Sequence, residues 1–259
     1  MNSLLCVGLD PEANRIPSRF SQSKTAQFDF NKWIIDETAE YTAAYKPNMA
    51  FYEGRGTQGL EDLHQTMEYL QRNCPDILTI CDAKRADIGS TNEAYATAIF
   101  DGLGFDSVTL HPYLGGEALA PFLSRRDKVC IVLCRTSNPG AGEFQDLQAE
   151  GKPLWQHVAE RVSGSWDVDG NCMLVVGATY PQEMQQIRAI APQTTFLVPG
   201  IGAQGGDIAA VVSAGLDSDG RGLIISSSRN IIFSDTPAAA ARALRDAINA
   251  AKESLHAAS

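Results

Sequence analysis

An α/β fold, a single (β/α)8 TIM barrel covering residues 1–259, is predicted by three observations. Short runs rich in β-branched and aliphatic residues recur eight times along the chain. A polar turn and a helical pattern follow them in alternation, which implies a parallel sheet. No Pro/Gly/Ser-rich stretch is long enough to divide the 259 residues, a length that (β/α)8 barrels commonly use as one unit. An open, doubly wound sheet is the alternative arrangement of the same units.

In chain order the strand candidates are residues 4–10, 43–50, 77–84, 106–112, 129–136, 173–179, 195–201 and 222–228. Between them, residues 60–72 place Leu60, Leu63, Met67 and Leu70 at helical spacing. Residues 91–103 and 181–191 read the same way, the second with Pro181 in its first turn. The last helix, 237–256, is rich in alanine, whose strong helix propensity suits an element that closes the fold. The longest irregular stretch, 137–151, holds three glycines and a proline and reads equally as a surface loop or as a lid over a site.

The chain carries 21 Lys+Arg against 31 Asp+Glu, a formal net charge of −10. That balance, with no basic block, argues against nucleic acid as a partner but leaves small anions open, since a few local cations can oppose the global field. No apolar run approaches the ~20 residues needed to span a bilayer, so no membrane association is expected. The N-terminus lacks a basic region ahead of its short apolar run, which is unlike a signal peptide. The six cysteines form no CxxC pair, and five lie in or beside apolar runs. Reduced thiols and a cytoplasmic location are the expectation.

Barrel chemistry collects at the C-terminal ends of the strands. There the sequence places Asp10 on strand 1, Lys46 on strand 2, and Asp82, Lys84 and Asp87 on and just beyond strand 3. His111 ends strand 4, Ser137 follows strand 5, Pro199 to Gln204 follow strand 7, and Ser228-Arg229 end strand 8. Alternation puts Asp82 and Lys84 on one face. A lysine flanked by two carboxylates is held as an ammonium ion and acts as a proton donor rather than a Schiff-base nucleophile. A structural ion-pair network is the other reading of the same three residues. Gly200, Gly202 and Gly205 match GxGxxG, but in the seventh unit rather than an opening one, and Asp217 and Asp219 precede strand 8 instead of ending it. The loops after strands 7 and 8 suit a phosphate cradle better, with Gln204 and Arg229 as side-chain donors. Metal binding is not expected. His64, His157 and His256 fall on helical faces, and Lys46 and Lys84 would crowd a cation held by His111 and Asp82.

With these residues assembled, the sequence resembles the orotidine 5′-monophosphate decarboxylase family from Val7-Gly8-Leu9-Asp10-Pro11 to Ser228-Arg229. The most specific segment is Asp82-x-Lys84-x-x-Asp87 with Ile88 and Thr91. Tyr45-Lys46-Pro47-Asn48, Ser137-Asn138-Pro139-Gly140 and Pro199-Gly200-Ile201-Gly202-Ala203-Gln204 reinforce it, with details similar to the longer bacterial subgroup. The resemblance implies decarboxylation of orotidine 5′-monophosphate to UMP without a cofactor. Asp10 and Lys46 would hold the ribose hydroxyls, Asp82 would face the substrate carboxylate, and Lys84 would protonate C6. Asp87 and Thr91 would serve the neighbouring subunit's site in a homodimer. Ser137 would contact the pyrimidine; Pro199, Gln204, Ser228 and Arg229 would line the phosphate end. Ser228 is a departure, because a glycine commonly precedes this arginine in the family. Metal-dependent sugar-phosphate enzymes of the same superfamily share the Asp-x-Lys-x-x-Asp signature, but need a strand-2 glutamate where this chain has Lys46. A non-catalytic nucleotide-binding barrel is the remaining alternative.

Overall fold

The computed structural model describes residues 2–201 and 206–258. Its central sheet consists of β1 (Leu5–Leu9), β2 (Ala44–Pro47), β3 (Leu78–Arg85), β4 (Ser107–Leu110), β5 (Val129–Arg135), β6 (Cys172–Val176), β7 (Phe196–Pro199) and β8 (Leu223–Ser227). All pairings around it are parallel, and β8 returns to β1, closing the barrel that the alternation predicted. The eight main helices that follow the strands are α1 (Ala26–Thr38), α2 (Gly56–Asn73), α3 (Gly89–Ala96), α4 (Gly115–Leu123), α5 (Leu154–Arg161), α6 (Pro181–Ile190), α7 (Ile208–Gly215) and α8 (Pro237–Ala258).

Barrel strands are covered on both faces, which is why they read as near-continuous apolar runs. Leu5, Val7 and Leu9 point outward into the layer between strands and helices. Cys6, Ala44, Ile80, Ile131, Met173 and Leu197 point inward and fill the lower barrel. Two residues further along β2 and β3 the same inward face changes character: Ala44 gives way to Lys46 and Ile80 to Asp82. An apolar plug thus supports a charged mouth, and the burial of the plug holds the charged groups in place.

Three elements differ from the sequence reading. Residues 91–103 begin as helix, but Thr97–Gly102 form a π-helical turn. The stretch 137–151 is ordered rather than irregular, with a 3-10 turn at Pro139–Ala141, a short helix at Gly142–Gln145 and a hairpin pairing Gln148–Ala149 with Lys152–Pro153. Strand 3 is not a regular pleat. Between Cys81 and Arg85 it takes four steps while β4 takes two, from Val108 to Leu110.

Candidate active site

A cavity of about 560 Å³ opens at the C-terminal ends of the strands. Asp10, Lys46, Asp82, Lys84, Ser137, Pro199, Ser228 and Arg229 all line it. These are the residues that the strand-end argument selected, now brought around one space. His111 does not line it; its backbone N–H donates to the Arg85 carbonyl. Asp217 lies in the turn before β8, where its carboxylate accepts the Asp219 and Arg221 N–H groups, so it caps a turn. Gln204, Gly202 and Gly205 lie outside the described residues.

The centre of the site is Asp82, 8% exposed in the irregular stretch of β3. Its Oδ2 accepts from Lys46 Nζ at 2.8 Å, and its Oδ1 from Lys84 Nζ at 2.6 Å and Thr109 Oγ1 at 3.0 Å. Burial alone would raise the carboxyl's pKa. The ammonium of Lys46, then that of Lys84, reverses this and holds Asp82 well below the usual carboxylate range. Lys46 shows the converse: burial alone would lower it, but Asp82 and then Asp10 raise it above the ordinary lysine value. The two lysines differ in access. The Lys46 side chain is 8% exposed and that of Lys84 is 51%.

Asp10 has a buried Oδ1 that finds no hydrogen-bond partner among the described residues. A buried acceptor left open at a cavity wall suits a ligand hydroxyl. At the other end of the cavity the exposed Arg229 guanidinium engages no carboxylate among the described residues. Ser228 Oγ donates to the Gly8 carbonyl at 3.1 Å and so ties the β8 loop to β1. That tie depends on the glycine opposite, since a Cβ on Gly8 would lie 2.6 Å from Ser228 Cβ.

Asp87 and Thr91 do not line the cavity of their own chain, and of the two carboxylates flanking Lys84 in sequence only Asp82 reaches it. Asn92, fully buried, holds this segment: it accepts the Asp87 N–H and donates to the Asp87 and Ala118 carbonyls.

Sequence reasoning missed several contributors. Arg135, 3% exposed at the end of β5, reaches Gln145 and Asp146 and lies 3.8 Å over the Tyr180 ring. It fastens the 137–151 segment, and Gln145 in that segment lines the cavity. Gly177 lets Ser137 approach, because a Cβ there would lie 2.8 Å from the Ser137 backbone N. Thr109 lines the cavity beneath Lys84. Their signals were weak: a threonine in a strand and a glycine after one are ordinary.

Charged groups at the C-terminal mouth of an eight-stranded parallel barrel define a barrel enzyme working with fixed charges. Comparison with known proteins specifies it further. The model of the Orotidine 5′-phosphate decarboxylase / HUMPS family matches residues 3–244, and the chain belongs to that family. It is 46% identical to orotidine 5′-phosphate decarboxylase of Cellvibrio japonicus, covering 97% of this chain and 94% of that one. The solved structure of Leishmania donovani OMP decarboxylase superposes with a TM-score of 0.89 at 42% identity, covering 97% and 94% of the two chains. Leishmania donovani UMP synthase is similar at 43% identity and a TM-score of 0.90, over 97% of this chain and 54% of that longer one.

Proposed function

We propose that this chain decarboxylates orotidine 5′-monophosphate to UMP, the decarboxylation step of pyrimidine biosynthesis, without a cofactor. The observation that carries the reading is the alternating row Asp10, Lys46, Asp82 and Lys84 along one wall of a cavity of nucleotide size. The C6–carboxylate bond breaks heterolytically, CO2 leaves, and the electron pair stays on C6. The Lys84 ammonium opposes that charge and then gives C6 its proton. Asp82 faces the substrate carboxylate, Asp10 and Lys46 take the ribose hydroxyls, and Ser137 takes the pyrimidine. Pro199, Gln204, Ser228 and Arg229 form the phosphate end. Phosphate contacts remote from C6 supply binding energy that is realised partly in the chemical step.

The test is ultraviolet-monitored loss of orotidine 5′-monophosphate by purified protein before and after exhaustive chelation. Equal turnover in both is expected, because Lys46 places an ammonium at the β2 end where a metal-dependent relative would hold its cation. Loss on chelation that magnesium restores would favour the sugar-phosphate reading, and UMP binding without turnover the non-catalytic one.

We further infer that the functional unit is a cytoplasmic homodimer of single-domain chains (residues 1–259), with Asp87 and Thr91 entering the partner's site. Supporting this, Ile88, which follows Asp87 in the chain, and Tyr113 and Leu114 expose large apolar side chains on the loops after β3 and β4. Among the described residues no helix is long and apolar enough to cross a membrane, and all six cysteines are free.

Three substitutions examine the phosphate end. Arg229→Ala is expected to cost about 1.5–3 kcal/mol of kcat/KM for the nucleotide and far less for orotidine; equal losses would make Arg229 structural. Gly8→Ala is expected to destabilise by about 1–3 kcal/mol through overpacking and to weaken UMP binding. Ser228→Gly in the same chain removes both nearest contacts, leaving Asp10 Oδ2 at 3.2 Å, and should restore most of the loss. Denaturant unfolding and UMP titration read both effects, and a double variant no better than Gly8→Ala would refute the steric account.

A further inference from the structure

Lys84 stands at φ 48°, in the left-handed region that non-glycine residues rarely occupy. It does so inside the bulge of β3, where four steps on that strand face two on β4. A bulge leaves backbone groups without ladder partners. Here the N–H groups of both Ala83 and Lys84 donate to one atom, Thr109 Oγ1, each at 3.0 Å. The same hydroxyl donates its own proton to Asp82 Oδ1 at 3.0 Å. A hydroxyl has one donor and two acceptor sites, so all three are used. Thr109 is 2% exposed, and β-branching restricts its rotamers, so nothing competes for these bonds.

We propose that Thr109 is a positioning residue, whose hydroxyl holds the β3 bulge and thereby sets the Lys84 ammonium at the reacting carbon while fixing the carboxylate of Asp82. The proposal rests on the reading of Lys84 as proton donor. Strained backbone persists only where its surroundings over-determine it. Without the hydroxyl, two part-buried N–H groups lose their acceptor and Asp82 loses one of three donors. The Ala83 and Lys84 N–H groups then lose the acceptor that pins the middle of the bulge, and Lys84 is free to leave the left-handed region.

The experiment compares Thr109→Val, which keeps the shape and removes the hydroxyl, with Thr109→Ser, which keeps the hydroxyl. Displacement of a reacting group by about 1 Å can cost about 100-fold, so kcat of Thr109→Val should fall on that order while KM and UMP affinity stay within about threefold of wild type. Thr109→Ser should recover kcat to within about threefold of wild type. A purely structural role would instead lower UMP affinity and thermal stability together, with kcat of the folded fraction unchanged. A crystal structure of Thr109→Val gives a readout independent of activity: Lys84 should leave positive φ and its contact with Asp82 should lengthen. An unchanged bulge, or kcat retained within about fivefold, overturns the proposal. Absence of turnover in wild type would overturn the decarboxylase reading instead, and the crystal structure would still decide whether Thr109 holds the bulge.

Discussion

Lys84→Ala and Asp87→Ala homodimers are each expected to be nearly inactive, and a mixture allowed to exchange subunits should recover about a quarter of wild-type turnover. Every site in either homodimer lacks one charge. In the heterodimer, the site built on the Lys84→Ala chain also receives the mutated Asp87 and lacks both groups. The other site keeps its own Lys84 and receives an intact Asp87, so it is complete. Random pairing makes about half the dimers mixed, because the isologous interface is the same for each pairing. One good site in half the dimers is about a quarter of all sites. The placement of Asp87 outside its own chain's cavity motivates the test. Confirmed exchange with activity still at the single-variant level would put Asp87 to work within its own subunit.

Asp82→Asn should be the most destabilising single change at the site. It strips the carboxylate from between two ammonium groups, one of them the buried Lys46. Removing one partner of a buried pair costs about 3–5 kcal/mol, because the other charge stays behind without compensation. Asp10 supports Lys46 from the other side, so the lower end of that range is the better guide. The sign of the pH dependence follows from the depressed pKa of Asp82. Its contribution is fully present above the unfolded carboxylate value of about 3.9 and is lost as pH falls toward the lower folded value. Urea unfolding of wild type and Asp82→Asn should therefore differ by a constant amount from pH 7 to about pH 5, with the gap narrowing below about pH 4. A gap that holds its size in acid would mean that lost shape or hydrogen bonding, rather than charge, is responsible.

The barrel was legible because eight apolar runs and their helical complements are long-range regularities that local irregularity does not disturb. The charged wall was legible for a related reason: Asp10, Lys46 and Asp82 interrupt strands that are otherwise apolar. Lys84 was placed on the correct side for an incomplete reason. Alternation assumes a regular pleat, whereas the strand slips by two residues, and the lysine reaches Asp82 from a left-handed backbone. Register slips depend on cross-strand partners such as Thr109, which a one-dimensional pattern does not contain. Arg135 was overlooked because its partners, Gln145, Asp146 and Tyr180, become neighbours only after the chain folds back. The ordered turns in 137–151 were hidden in a composition typical of loops.

The unequal access of the two lysines bears on how the enzyme resets between turnovers. On the proposed reading each cycle transfers one proton from Lys84 to carbon, and none of the other groups in the row can return it without breaking the row. Recharging must come from water. Lys84, with half its side chain open, can meet solvent once product departs, whereas Lys46, shut beneath it, cannot. The row thus separates a charge that is spent and renewed from one that is permanent, and the permanent one keeps Asp82 ionised while its neighbour is briefly neutral. Net proton uptake, one per nucleotide consumed, should therefore enter through the mouth of the barrel.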